Sequence, residues 1–200
     1  KIKIVLTGGH AATTALAVIE ELRKRNAYEI VWIGSRKAVE GKNVTTLEAK
    51  VFGDFGVRFY LLIAGRIQRR FTIWTIPSLL KIPVGFLHAI ILMFKIRPSL
   101  TLSFGGYAAY PVVVASWILG IPVYIHEQTS AAGLANRMSA RFAEKIAISN
   151  DNSRQFFPSG KTALTGNPIS SVISEITPKT KIASPPTLFI TGGSRGSQKI

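Results

Sequence analysis

The sequence predicts an α/β fold built on a doubly wound parallel sheet, Rossmann-like in plan. Three observations predict it. Short apolar, β-rich runs alternate with helical patterns along the chain, as parallel strands joined by crossover helices do. Glycine pairs follow three of the strand candidates, at Gly8-Gly9, Gly105-Gly106 and Gly192-Gly193. The run Pro98–Ile125 carries no charge in 28 residues, yet Gly105-Gly106, Pro111, Gly120 and Pro122 divide it as strand, loop, helix, turn and strand. Strands buried on both faces read as such continuous apolar runs.

Taken in order, the strand candidates are Ile2–Leu6, Ile30–Ile33, Phe59–Ile63, Leu100–Ser103, Val123–His126, Lys145–Ile148, Thr162–Leu164 and Leu188–Thr191. Helical patterns cover Leu16–Arg25, Pro111–Leu119 and Leu134–Phe142, with a long apolar stretch at Ser78–Lys95. Right-handed crossovers place every strand-to-helix turn at one edge of the sheet, where ligands of such folds bind. After Gly166-Asn167-Pro168 the composition shifts. Ile169–Pro186 is rich in Ser, Thr, Pro and Lys without sustained periodicity and reads as a linker. LFITGGSRGSQ then opens a second strand–glycine-loop unit. The expected organisation is a domain over 1–168, a linker over 169–186, and over 187–200 the first strand and glycine loop of a truncated second domain.

The chain is 47% apolar and 18% charged, which excludes intrinsic disorder. Lys and Arg outnumber Asp and Glu by 25 to 10, for a net charge of +15, while mean hydropathy is +0.27. Such a basic and apolar chain suits a partner that is itself anionic and greasy. Without cysteine there is no disulfide, thiolate chemistry or Cys-based metal site, and three scattered histidines make no metal cluster. Neither metal nor cofactor is expected.

The charge is uneven. From Phe55 to His126 there is no Asp or Glu, but seven Lys/Arg fall there. Nucleic acid is the first partner to weigh for such a chain. Against it, these basic residues are set among large apolar ones and no nucleic-acid motif occurs, so no nucleic-acid partner is expected. The mixture suits an anionic phospholipid surface, where apolar burial and cationic attraction add. The candidate membrane-facing residues are Arg66, Arg69, Arg70, Phe71, Trp74, Leu79, Lys81 and Phe86; the plainer alternative is core helices with solvated basic residues. Phe71–Phe94 and Pro98–Ile125 are long enough to span a bilayer. Pro77, Lys81 and Pro83 in the first and the Gly/Pro punctuation of the second argue against spanning. KIKIVL runs straight into Gly8-Gly9, unlike a secretory leader, and the chain opens on Lys1 as a trimmed sequence would.

Each glycine pair lets backbone approach a ligand closely, and a following helix N-terminus favours phosphate; close strand–helix packing is the alternative use of such a pair. Neither GxxxxGK[ST] nor GxGxxG occurs. His10 closes the first turn, where an imidazole can act as general base or phosphate contact, or can cap the following helix. His88 lies in an apolar stretch and reads as packed. His126-Glu127-Gln128-Thr129 follows a buried strand, and Glu127 is the only acid between Asp54 and Glu144. A lone carboxylate there has an environment able to shift its pKa, or it bonds amides of the Thr129–Gly133 turn. Gln128, Thr129 and Ser130 are caps or ligand contacts for the helix that follows.

Together, GGH, SFGGY, GIPV with HEQ and AGL-AN after it, GNP, and ITGGSRGSQ resemble, in the same order, the MurG family of N-acetylglucosaminyltransferases. The resemblance covers nearly the whole chain. It implies a two-domain GT-B fold whose N-terminal domain and opening C-terminal segment are present here. It also implies metal-independent, inverting transfer of GlcNAc from UDP-GlcNAc to the lipid I acceptor, undecaprenyl-pyrophosphoryl-MurNAc-pentapeptide, giving lipid II for peptidoglycan. The implied place of work is the cytoplasmic face of the bacterial plasma membrane, held peripherally. Residue by residue, it implies phosphate-side contacts from Thr7, Gly8 and Gly9, a catalytic base at His10, and a second glycine loop at Gly105, Gly106 and Tyr107. Glu127 matches the family's acid and is, with His10, the second catalytic candidate. Gln128 matches the amide, Thr129 stands where a donor-contacting Asn is usual, and Ser194 matches the serine of the third loop, all three as candidate substrate contacts. Three features depart from the pattern: TGGH replaces GGTGGH, Ile169-Ser170 lacks the usual Arg after GNP, and most of the donor-binding domain is not in the chain. The fragment alone is therefore expected to be inactive. The alternatives are another UDP-sugar transferase or epimerase of this fold, or a non-enzymatic membrane-surface module or half of a split enzyme.

Overall fold

The computed structural model describes residues 1–9, 11–36, 45–65, 75–177 and 184–190. Its strands are β1 (Ile2–Thr7), β2 (Tyr28–Gly34), β3 (Arg58–Leu61), β4 (Leu100–Ser103), β5 (Val123–Glu127), β6 (Lys145–Ile148) and β7 (Thr162–Leu164). Its helices are α1 (Ala12–Lys24), α2 (Leu47–Val51), α3 (Thr75–Ile96), α4 (Ala109–Ile118), α5 (Leu134–Ser139) and α6 (Ser171–Ser174). The seven strands form one sheet in the order β3-β2-β1-β4-β5-β6-β7, every neighbouring pair parallel.

Alternation along the central strands sorts their side chains between two layers. Ile4, Leu6 and Trp32 face α1 and α2, packing with Ile19, Phe52 and Phe104. Val5, Val31 and Ile33 face α3 and α4, packing with Ala89, Met93, Ile96 and Val112. A third cluster joins Ile125, Ile146 and Ile148 to Val113, Ala132 and Phe157. Helices thus cover both faces, and this is why the middle strands carry no polar alternation.

The apolar stretch expected at Ser78–Lys95 is one helix, α3. Pro77 stands in its first turn, where an N–H has no intrahelical partner to lose, and Pro83 lies inside it. Its stretch Leu79–Ile96 is long and apolar enough to cross a membrane by length and composition. One side, through Ala89, Met93 and Ile96, lies in the core. On the other, Ile76, Leu80, Val84, Leu87, Ile91 and Phe94 recur at three- and four-residue steps, each between 48% and 68% exposed. His88 accepts the Ile63 backbone N–H through Nδ1 at 3.2 Å, fastening α3 to the segment after β3.

One expectation needs correction. Leu188–Ile190 forms no strand and is 66% to 85% exposed; among the described residues no neighbouring strand meets its backbone groups, and an isolated strand cannot persist. The expected linker holds a short helix, α6, because Ser170 Oγ and the Ser171 N–H both donate to the Glu20 carboxylate on α1.

Candidate functional site

The strand order reverses between β1 and β4, and in doubly wound sheets the crevice at that reversal receives the ligand. Both strands end there in glycine turns. Phe104 N–H donates to Thr7 O at 2.8 Å and Gly9 N–H to Gly105 O at 2.9 Å, so the turns are hydrogen-bonded together. Gly106 has φ +91°, and a Cβ on it would stand 2.8 to 3.0 Å from the Gly9 backbone. Gly105 has φ +79°, and a Cβ there would meet Asn136 Oδ1 at 2.7 Å. Backbone conformation and space both require glycine at these two positions.

A cleft of about 470 Å³ opens beside the second turn. Gly105, Gly106 and Tyr107 form one wall, Ile82 and Phe86 of α3 and Tyr110 of α4 another, and Glu127, Gln128, Thr129, Leu134 and Met138 the remainder. The first turn is tighter. Gly8 reaches only a crevice of about 10 Å³ between Trp32, Thr46, Glu48 and Tyr107, and Gly9 borders both spaces.

Glu127 ends β5 and is 2% exposed. Its Oε1 accepts the Thr129 N–H at 2.8 Å and the Thr129 hydroxyl at 2.7 Å. Its Oε2 accepts the Gly133 N–H and Asn136 Nδ2, both at 2.9 Å. Burial pushes this carboxyl up, but the donors from Thr129, Asn136 and Gly133 together outweigh it and hold its pKa below the usual range. The residue is an anion whose acceptor positions are filled by its own loop. Asn136 Nδ2 also donates to the His126 carbonyl at 3.2 Å; since both its partners only accept, the amide has one orientation, with Oδ1 toward Gly105.

His126, one residue earlier, points the other way along the sheet edge. Its Nε2 lies 3.3 Å from both the Gly166 carbonyl and Ser149 Oγ. Burial lowers its pKa, against the Gly166 carbonyl, the Glu127 charge and the Gln128 side chain.

Several expected residues therefore meet at the cleft: Gly9, Gly105, Gly106, Tyr107, Glu127, Gln128 and Thr129. Thr7 does not. It is fully buried, and its hydroxyl donates to Ile33 O at 2.8 Å across to β2. Phe86, expected on the membrane side, is half-buried: it packs edge-on against Tyr110 and lines the cleft, because its position on α3 falls between the core side and the exposed stripe. Leu79 is exposed and Lys81 half-buried. His10, Arg66, Arg69, Arg70, Phe71, Trp74 and Ser194 lie outside the described residues. Asn136 and Glu48 were missed as individual residues. Asn136 was visible only as the last letter of AGL-AN, and Glu48 follows Thr45 at a spacing that reads as a local capping box.

Comparisons with known proteins bear on the family and the fold. Residues 6–148 match the model of the glycosyltransferase family 28 N-terminal domain. Relatives named UDP-N-acetylglucosamine--N-acetylmuramyl-(pentapeptide) pyrophosphoryl-undecaprenol N-acetylglucosamine transferase include one from Geotalea uraniireducens, 35% identical over 97% of this chain and 52% of its own length. Another, from Legionella pneumophila, is 33% identical over 98% of this chain and 54% of its own. The chain spans about half the length of the relatives it matches. Among solved structures, the MurG of Acinetobacter baumannii aligns with a TM-score of 0.65 at 25% identity, covering 82% of this chain and 45% of that one. A UDP-GlcNAc 2-epimerase from Neisseria meningitidis aligns at 0.58 with 16% identity, over 84% of this chain and 47% of its own, a likeness of fold alone. The chain belongs to glycosyltransferase family 28 and carries that family's N-terminal domain.

Proposed function

We propose that this chain is the acceptor-side part of an inverting, metal-independent hexosyltransferase. In this reading the whole enzyme moves GlcNAc from UDP-GlcNAc to undecaprenyl-pyrophosphoryl-MurNAc-pentapeptide in peptidoglycan synthesis. One observation carries it: nearly the whole chain aligns, at 30% to 35% identity, with transferases whose names state that donor and that acceptor. The cleft supports it. Its apolar side suits a lipid-linked ligand, and its glycine turns let backbone approach a diphosphate.

The chemistry asks for a group to take the proton from the attacking hydroxyl and for donors on the leaving diphosphate. His10 is the proposed base. Glu127, already saturated with donors, is assigned to holding Thr129, Gly133 and Asn136 in place. Gln128 and Thr129 face the sugars, and Ser194 belongs to the donor side. The exposed stripe of α3, with the basic residues of 66–70, is the proposed seat on anionic phospholipid at the cytoplasmic face of the plasma membrane.

The test is transfer of labelled GlcNAc to the lipid-linked acceptor by the full-length gene product. Turnover is expected there and not in the 200-residue chain. His10→Ala is expected to lower turnover by about 10²-fold or more. No turnover by a folded full-length protein overturns the reading; unchanged turnover in His10→Ala removes that residue from the role.

A further inference from the structure

The chain leaves the sheet after β7 through a fastening that the proposed chemistry does not use. The ends of β5, β6 and β7 meet there. Ser149, directly after β6, donates its N–H to Glu127 O at 2.9 Å, and Thr165, directly after β7, donates its own to Ile148 O at 3.0 Å. The next carbonyl, that of Gly166, is gathered by side chains. His126 Nε2 and Ser149 Oγ each lie 3.3 Å from it, and the Thr165 hydroxyl donates to it at 3.2 Å. Gly166 holds φ +76°, a turn that few other residues adopt. Among the described residues, no heavy atom stands within 4 Å of a Cβ placed on it, so the glycine serves backbone direction and not packing.

His126 is the buried member of this group, at 4% exposure. Gly166 O only accepts, so Nε2 carries the hydrogen. Nδ1 is then a buried acceptor, and among the described residues no hydrogen bond reaches it. A second proton there would have no partner, so the ring stays neutral, in accord with the burial that lowers its pKa.

The same residue is tied to the cleft. Its carbonyl accepts Asn136 Nδ2 at 3.2 Å, and its ring lies 6.0 Å from that of Phe104, which leads into Gly105-Gly106. On the far side of Asn167-Pro168, Ser170 and Ser171 are held by Glu20 of α1. The segment after β7 is thus fixed to the body of the domain at both of its ends.

We propose that His126, with Ser149, is a positioning residue for the transfer reaction. By holding the Gly166 carbonyl it sets the direction in which the chain departs toward the donor-binding half, and so orients that half over the cleft. The assignment rests on the proposed reading that such a half follows this domain and supplies the donor. His126 makes no contact with substrate in this role; it acts through Gly166-Asn167-Pro168.

The experiment uses the full-length gene product and its His126→Ala, His126→Gln and Ser149→Ala variants, each first confirmed as folded by a cooperative melt. Small-angle X-ray scattering reads the spread of separations between the halves, and steady-state kinetics reads kcat and both KM values. His126→Ala is expected to broaden the distribution and to lower kcat by about tenfold or more, the scale of a misplaced reacting group, with both KM values near wild type. His126→Gln, which keeps a donor for Gly166 O, is expected to restore the distribution and most of the turnover. Ser149→Ala removes one donor with little packing and is expected to fall between; it decides the matter alone if His126→Ala does not fold. A distribution that stays narrow, or an unaltered kcat despite broadening, overturns the proposal. So does a loss confined to the acceptor KM, since His126 would then work through Asn136 on the cleft. If folded wild type transfers no GlcNAc, the transferase reading fails, while the scattering still decides whether His126 holds the two halves.

Discussion

Gly9 donates its backbone N–H to the carbonyl of Gly105 over 2.9 Å, at the point where the strand order reverses. With the parallel bond from Phe104 N–H to Thr7 O, it makes one rigid unit of two turns separated by almost a hundred residues of chain. Neither turn can adjust to a ligand or a substitution without moving the other.

That coupling makes Gly106 and Gly9 unequal. A methyl on Gly106 would stand 2.8 Å from Gly9 N and 2.9 Å from its Cα at φ +91°, whereas one on Gly9 finds its nearest neighbour at 3.7 Å. Gly106→Ala is expected to cost about 2–4 kcal/mol, through positive-φ strain and a backbone clash that cannot relax. Gly9→Ala should remain within about 1 kcal/mol of wild type. Urea unfolding of both variants measures the difference, and equal midpoints would contradict the rigid pairing.

Glu127 holds four donors, and the charge on its carboxylate strengthens each bond. Glu127→Gln replaces one oxygen with an NH₂ that faces donors, so about 2–4 kcal/mol of stability is expected to go. Thr129→Val removes only the hydroxyl donor and is expected to cost about 1–1.5 kcal/mol. If the two variants melt together, the carboxylate is not the organiser of residues 129–136.

Much of this was legible in the sequence. Leu100–Ser103, Lys145–Ile148 and Thr162–Leu164 are strands at the expected bounds, since an apolar run between turn residues in an alternating chain leaves little choice of structure. The position of the glycine turns followed from the same logic. What the sequence hid was side-chain direction. Thr7 stands in a ligand-facing motif, yet its hydroxyl donates to Ile33 O near the end of β2. Phe86 looks like part of a greasy surface, but only the rotation of α3 decides that it meets Tyr110. Glu48 mimics a local cap, and its actual partner is set by the packing of α2 on α1. In each case a contact distant in sequence outweighs the local pattern.

Acid is expected to destabilise the chain in two stages. His126 has its pKa lowered from the ordinary 6.5, chiefly by burial. Below pH 6.5 the unfolded chain therefore binds a proton that the folded chain refuses, and stability falls until the folded pKa is reached. Glu127 has its pKa lowered from the ordinary 4.5, so below that pH the unfolded chain again takes up its proton first and stability falls further. While the difference is one full proton, the slope is about 1.4 kcal/mol per pH unit. His126→Gln keeps a donor for Gly166 O and is expected to erase the first stage only. An unchanged profile between pH 6.5 and 4.5 in that variant would assign the loss to other groups.

The outward stripe of α3 sets the last expectation. Leu80 and Leu87 are 68% and 62% exposed, on the side of the helix opposite Ala89 and Met93. Replacing them both with Glu removes little packing, and the melting midpoint should correspond to a change within about 1 kcal/mol. On vesicles containing phosphatidylglycerol the same pair is expected to lower binding by at least about tenfold. Each half-inserted leucine contributes about 1 kcal/mol of apolar burial, and each new carboxylate is repelled by the anionic surface. Val172→Glu with Ile173→Glu provides the control, since these residues of α6 are exposed and apolar too, at 71% and 59%, but belong to a different element. Co-sedimentation should show the control binding like wild type and all binding weakening with salt, as cationic attraction is screened. Equal losses in both double variants would mean that vesicle binding reads general hydrophobicity rather than a surface on α3.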